Sequence, residues 1–86
     1  SFMDEKIKDI LSEKLNHSLN QNEDIEKLIS CFENVDYNSF YTGILIGRLY
    51  NSFFYQYRRI LKRNPSNDEF TEFIDFIKNN LKSFSK

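Results

Sequence analysis

Glycine, proline, cysteine and tryptophan are almost missing from this chain, whose 86 residues include two Gly, one Pro, one Cys and no Trp. Tight turns and left-handed backbone positions lean on Gly and Pro, so their scarcity disfavours long loops and strand-rich folds. A lone cysteine, Cys31, excludes an internal disulfide and points to a reducing compartment. The longest unbroken apolar stretch is Gly43-Ile44-Leu45-Ile46-Gly47, far below the ~20 residues a helix needs to cross a bilayer. The first residues carry Asp4, Glu5, Lys6, Lys8 and Asp9 with no apolar block, so no secretory signal is expected and the expected location is cytoplasmic. Ser1 and Phe2, ahead of Met3, read as a cloning remnant and carry no functional expectation. Also missing are a glycine-rich phosphate loop, a Ser nucleophile elbow and a Cys pair spaced for zinc.

What the chain has in quantity is aromatic surface, nine Phe and five Tyr. A domain of this size buries only about 60% of its unfolded surface. Aromatic side chains covering roughly 150–250 Å² each let a few residues build such a core. One domain over residues 3–86 is therefore expected, all-α in class.

Apolar spacing is helical from end to end. Helix 1 is expected over about 3–19, with Met3, Ile7, Ile10, Leu11, Leu15 and Leu19 on one stripe. The polar Asn20-Gln21-Asn22 ends it. Helix 2 is expected over about 23–33, with Ile25, Leu28, Ile29 and Phe32 inward and an acidic first turn suited to the helix dipole. Helix 3, about 39–63, is the longest and stops at Asn64-Pro65, because a residue preceding proline avoids helical angles. Helix 4, about 67–84, opens on Ser66-Asn67-Asp68-Glu69, which fits a capping box with Pro65 and Phe70 placed as a hydrophobic staple. Its stripe is Phe70, Phe73, Ile74, Ile77, Leu81 and Phe84. The short link predicts an antiparallel helix 3–helix 4 hairpin inside a four-helix, bundle-like domain.

Placing successive residues about 100° apart splits helix 3 into two faces. Leu49, Tyr50, Phe53, Phe54, Tyr57, Ile60 and Leu61 fall on one side. Arg48, Asn51, Ser52, Tyr55, Gln56, Arg58, Arg59, Lys62 and Arg63 fall on the other. The first two turns are apolar all round, so helices 1 and 2 or a second copy must cover them. Phe40, Tyr41, Gly43, Ile44, Leu45 and Gly47 form the expected partner or dimer surface, the two glycines four residues apart allowing close approach of another helix.

Charge is as unevenly spread as polarity. No acidic residue lies between Asp36 and Asp68, a window holding five of the twelve basic residues and leaving seven to face thirteen acids elsewhere. Arg48, Asn51, Tyr55, Arg58, Arg59, Lys62 and Arg63 therefore make a candidate nucleic-acid or phosphate surface. Against it, Arg58 to Arg63 stand near Asp68, Glu69 and Glu72 in a hairpin, where internal pairing would neutralise part of the charge. No helix-turn-helix spacing, zinc-finger pattern or RNA-binding strand motif accompanies the basic face.

Catalytic and metal chemistry find little footing. Asp9, Glu13 and His17 repeat every four residues along helix 1, but di-iron bundles use Glu-x-x-His pairs, and Asn16 stands three residues after Glu13. Cys31 sits beside the helix 2 stripe without a basic partner and is expected to pack as a small hydrophobe. Tyr50 and Tyr57, within the apolar stripe, each require a partner for the hydroxyl or a route to the rim. The expected function is a non-enzymatic interaction or regulatory module. It has no cofactor or metal, pairs as a homodimer or with another protein through the first turns of helix 3, and has no membrane partner. Nucleic-acid binding through the basic face is the alternative.

Overall fold

Four α-helices account for most of residues 2–20 and 22–82, the part of the chain the computed structural model describes, and no strand occurs among them. They are α1 (Glu5–Asn20), α2 (Glu23–Ile29), α3 (Tyr37–Gln56) and α4 (Asn67–Asn80), with a π-helical turn, Tyr57–Leu61, continuing α3. None of these helices is long and apolar enough to cross a membrane.

The core gathers on the predicted side of α3. Leu45, Leu49, Phe53 and Tyr57 are almost fully buried and join Ile7, Leu11 and Leu15 of α1, Ile25 and Ile29 of α2, and Phe73, Phe76 and Leu81 in one cluster. Each such side chain stabilises the fold by about 1.5–3 kcal/mol through removal of apolar surface from water. Phe53 is the centre, with its ring stacked on Phe73 at 4.4 Å and set edge-on to Tyr57 at 5.1 Å and Phe54 at 5.4 Å. Large rings thus mediate the approach of α4 to α3, through Phe70 as well, which meets Tyr50 and Phe54.

Polar anchors set the chain's two corners. The Asp4 amide donates to the Tyr57 hydroxyl at 3.0 Å, placing the start of α1 beside the end of α3, so these two helices run in opposite directions. That bond also answers the need for a partner at Tyr57. The Met3 amide donates to the Glu72 carboxylate of α4. The capping box forms as its sequence predicts: the Glu69 amide donates to Ser66 Oγ at 3.1 Å and the Ser66 amide to Glu69 Oε1 at 2.8 Å.

Several boundaries move from their expected places. α2 stops at Ile29, four residues early: the Ser30 hydroxyl and Cys31 thiol both donate to the Lys27 carbonyl, and Asn34 takes a left-handed φ of 60°. Side-chain donors competing for a backbone carbonyl favour this kind of turn over continued helix. Phe32 falls past the helix and is exposed rather than inward, Leu28 is exposed within the helix, and Cys31 is an exposed turn residue instead of a packed one. α3 begins two residues earlier than expected because Asp36 caps it, its carboxylate accepting the Ser39 amide at 2.9 Å. Its end comes at Lys62, where φ is 59°, ahead of the proline. α1 starts at Glu5 and buries Ser18 at its end, while Leu19 is partly exposed. In α4, Phe76 is buried and Ile74 is not. The helix stops at Asn80, and Phe84 lies outside the described residues.

Candidate interaction site

α3 presents a continuous outward surface opposite its buried side. Tyr41 and Leu45, expected on the partner surface, turn inward and are 5% and 1% exposed. They stand on the same side as Leu49 and Phe53, so the helical period assigns them to the core. Phe40 and Ile44 are half-buried, and Gly43 and Gly47 face solvent. A Cβ built on either glycine meets nothing within 4 Å, so neither is needed for packing inside the monomer. Continuing the same line, Phe40, Ile44, Gly47, Asn51, Phe54 and Arg58 alternate four and three residues apart, the spacing of a helix–helix seam. Exposed Phe32, its ring 5.7 Å from that of Phe40, widens the apolar end.

The basic residues separate into paired and open ones. Arg63 is paired, its guanidinium forking onto Glu69 at 2.7 and 2.9 Å and standing 5.4 Å from the Tyr57 ring centre. The Arg63 fork holds the Glu69 carboxyl down at about 2, against burial, which pushes it up, and with help from the Ser66 amide. This removes Arg63 from the open basic surface. Burial raises the Tyr57 phenol, and the Glu69 charge adds to that rise while the Asp4 amide opposes it. Arg48, Arg58, Arg59 and Lys62 are exposed and make no ion pair among the described residues. Arg58 donates to Asn64 at 3.5 Å, and Arg59 donates to Gln56 Oε1 at 2.9 Å. Asp68 and Glu72, expected to share in neutralising this end, form no ion pair with it.

Where α1 meets α3, Lys14, Arg48, Asn51, Ser52, Tyr55 and Gln56 line a cleft of about 290 Å³. Three of these expected residues, Arg48, Asn51 and Tyr55, come together there, while Arg58 and Lys62 line a separate depression beside the π turn. Lys14 escapes a reading confined to the outer face of one helix, since only the α1–α3 contact brings it in, whereas Gln56 stands on the polar face already assigned. Ser52, assigned to the polar face, is 7% exposed because α1 covers that flank. Tyr50, assigned to the apolar face, is 48% exposed at its rim.

The remaining chemical candidates stay apart. Asp9, Glu13 and His17 are exposed along α1, and no three His, Cys, Asp or Glu side chains among the described residues converge to hold a metal ion. A hollow of about 530 Å³ at the start of α1 is lined by Met3, Lys8, Phe76 and Asn80 together with the carboxylates of Glu5, Glu72 and Asp75. Comparison of the chain with protein-family models, characterised proteins and solved structures returns no match.

Proposed function

We propose that this chain is a non-enzymatic helical interaction module that pairs with a second copy of itself across the outward face of α3. The observation that carries the reading is the open pair Gly43 and Gly47, unoccupied by any atom of the monomer and continuous with Phe40, Ile44 and Phe54. Glycine in a helix interior costs about 1 kcal/mol relative to alanine. Two such residues with no packing role inside the monomer fit a face that another helix backbone approaches.

Charge selects the second copy as occupant and antiparallel as its direction. Glu23, Asp24, Glu26, Glu33 and Asp36 lead into α3, whereas Arg58, Arg59 and Lys62 end it. An antiparallel pair lays the basic end of each α3 toward the acidic end of its mate, and a parallel pair would oppose like charges. In the usual antiparallel register Ile44 faces Phe54, Gly47 faces Asn51 and Asp36 comes opposite Lys62. Within one chain we read α3 and α4 as an antiparallel hairpin of a bundle-like domain, supported by the Phe53–Phe73 stack.

Light scattering on a gel-filtration column tests the pairing. The expected mass is about twice the 10.4 kDa of one chain. Gly47→Leu is expected to give a monomer whose helical circular dichroism is unchanged, because a Cβ at position 47 meets nothing inside the monomer. A strict monomer of the unaltered chain at millimolar concentration overturns the reading.

A second reading, nucleic-acid binding along the ridge Arg48, Arg58, Arg59 and Lys62, is favoured by the exposure of these cations without acidic partners. It expects binding that weakens steeply with salt, by about one unit of log–log slope per phosphate contacted. Undetectable binding to DNA and RNA at low ionic strength removes it.

A further inference from the structure

We propose that the cleft between α1 and α3 binds the phosphate group of a small phosphorylated compound, with Tyr55 against its organic part. The cleft shares Asn51 with the seam described above, and its other lining residues lie off that line. Its lining contains only donors of positive or neutral character: Lys14, Arg48, Asn51, Ser52, Tyr55 and Gln56, with no carboxylate. Neither cation has an acidic residue three or four positions away on its own helix, the spacing at which helical side chains pair. Neither forms an ion pair with a described residue.

Ser52 supplies the independent observation. The residue as a whole is 7% exposed. A helical serine usually donates back to the carbonyl four residues earlier, as Thr71 does toward Asn67 at 3.1 Å in α4. Ser52 makes no such bond to Arg48, nor to any other described residue, and it lines the cleft with a hydroxyl that is not among the fully buried polar atoms. Gln56 is oriented by its neighbour. Arg59 can only donate, so the Gln56 oxygen accepts from it at 2.9 Å and the carboxamide N–H groups are left for another acceptor. An unbonded hydroxyl on a largely covered residue, a free amide donor and two unpaired cations line one small volume.

Phosphate matches this set better than a carboxylate. A phosphomonoester carries close to two negative charges at neutral pH and three strong acceptor oxygens. Arginine forks onto two of those oxygens while lysine acts as a compact charge. The remaining oxygen is left for Ser52 and Gln56. Tyr55, 53% exposed at the mouth, offers a ring face to an organic group.

The test is a titration of the ¹⁵N-labelled full chain with three probes at matched ionic strength: inorganic phosphate, adenosine 5′-monophosphate and a single-stranded twelve-nucleotide DNA. Saturable amide shifts at Lys14, Arg48, Ser52 and Gln56 are expected with the nucleotide, and weaker saturable shifts at the same positions with inorganic phosphate. Arg48→Gln is expected to weaken the nucleotide midpoint by about tenfold or more, the loss of a hydrogen bond to a charged group. Arg48→Lys recovers part of that loss, and Ser52→Ala weakens binding several-fold while leaving helical circular dichroism intact. Linear, unsaturable shifts overturn the proposal. So does a response confined to Arg58, Arg59 and Lys62 with the oligonucleotide, which marks a diffuse polyanion surface, and so does equal binding by the Ser52→Ala protein.

Discussion

Replacing Glu69 with glutamine removes one buried charge while keeping a residue that still completes a capping box. Glu69 is 5% exposed and holds both Arg63 and the Ser66 amide. Its carboxyl is drawn from 4.5 to about 2, which at ~1.4 kcal/mol per unit sets a ceiling of about 3 kcal/mol on its linkage to folding. The Arg63 side chain is 49% exposed, so water screens part of the attraction and about 2 kcal/mol is expected. The sign follows from a folded value below the unfolded one. The contribution is fully present above about pH 4.5 and drains away as pH falls toward 2. Thermal melts followed by circular dichroism should place Glu69→Gln roughly 8–16 °C below the unaltered chain at pH 6. Most of that gap should have closed by pH 2, although the thirteen acidic residues shift both proteins together. A gap of constant size from pH 6 to pH 2 would refute the argument, because the Glu69 charge would then not be its source.

Three further outcomes are expected. Phe53→Ala empties the centre of the aromatic cluster, where Phe53 is 0% exposed; a loss of about 3–5 kcal/mol should leave little cooperative unfolding in a urea titration, and a loss below about 1.5 kcal/mol would mean the cluster is not the core. Ser18→Ala deletes a buried hydroxyl with no hydrogen-bond partner and should be neutral or stabilising by up to about 1 kcal/mol, a clear destabilisation in urea contradicting the absence of a partner. Lys62→Gly relieves a side chain from a left-handed position and should raise stability by about 1 kcal/mol, whereas a lower melting temperature would show that Lys62 makes a contact worth more than the backbone cost.

Much of the helical framework was legible in advance because its signals are local. The Ser66–Glu69 box depends on four consecutive residues and formed as read. The buried choice of Ile7, Leu11, Leu15, Leu49, Phe53 and Tyr57 follows from three- and four-residue spacing alone. The misread positions share a different cause. Phe32 fits a helical stripe, yet the Ser30 and Cys31 side chains both donate to the Lys27 carbonyl and the chain turns before Phe32 can extend the Ile25–Ile29 stripe. Ile74 and Phe76 lie on opposite sides of α4, about 200° apart, and the packing turns Phe76 inward and leaves Ile74 exposed.

By itself, then, the order of residues determined an all-helical chain, the greasy side of its longest helix and a basic stretch free of acids, since helical period and capping act within a few residues. Only the tertiary structure decided that Arg63 is spoken for by Glu69, that Tyr57 is tied to Asp4, and that Ser52 lies beneath α1 with Lys14 at its side. Those outcomes join residues up to 53 positions apart. Which partners meet across such distances depends on how the helices pack, because no short-range preference couples them.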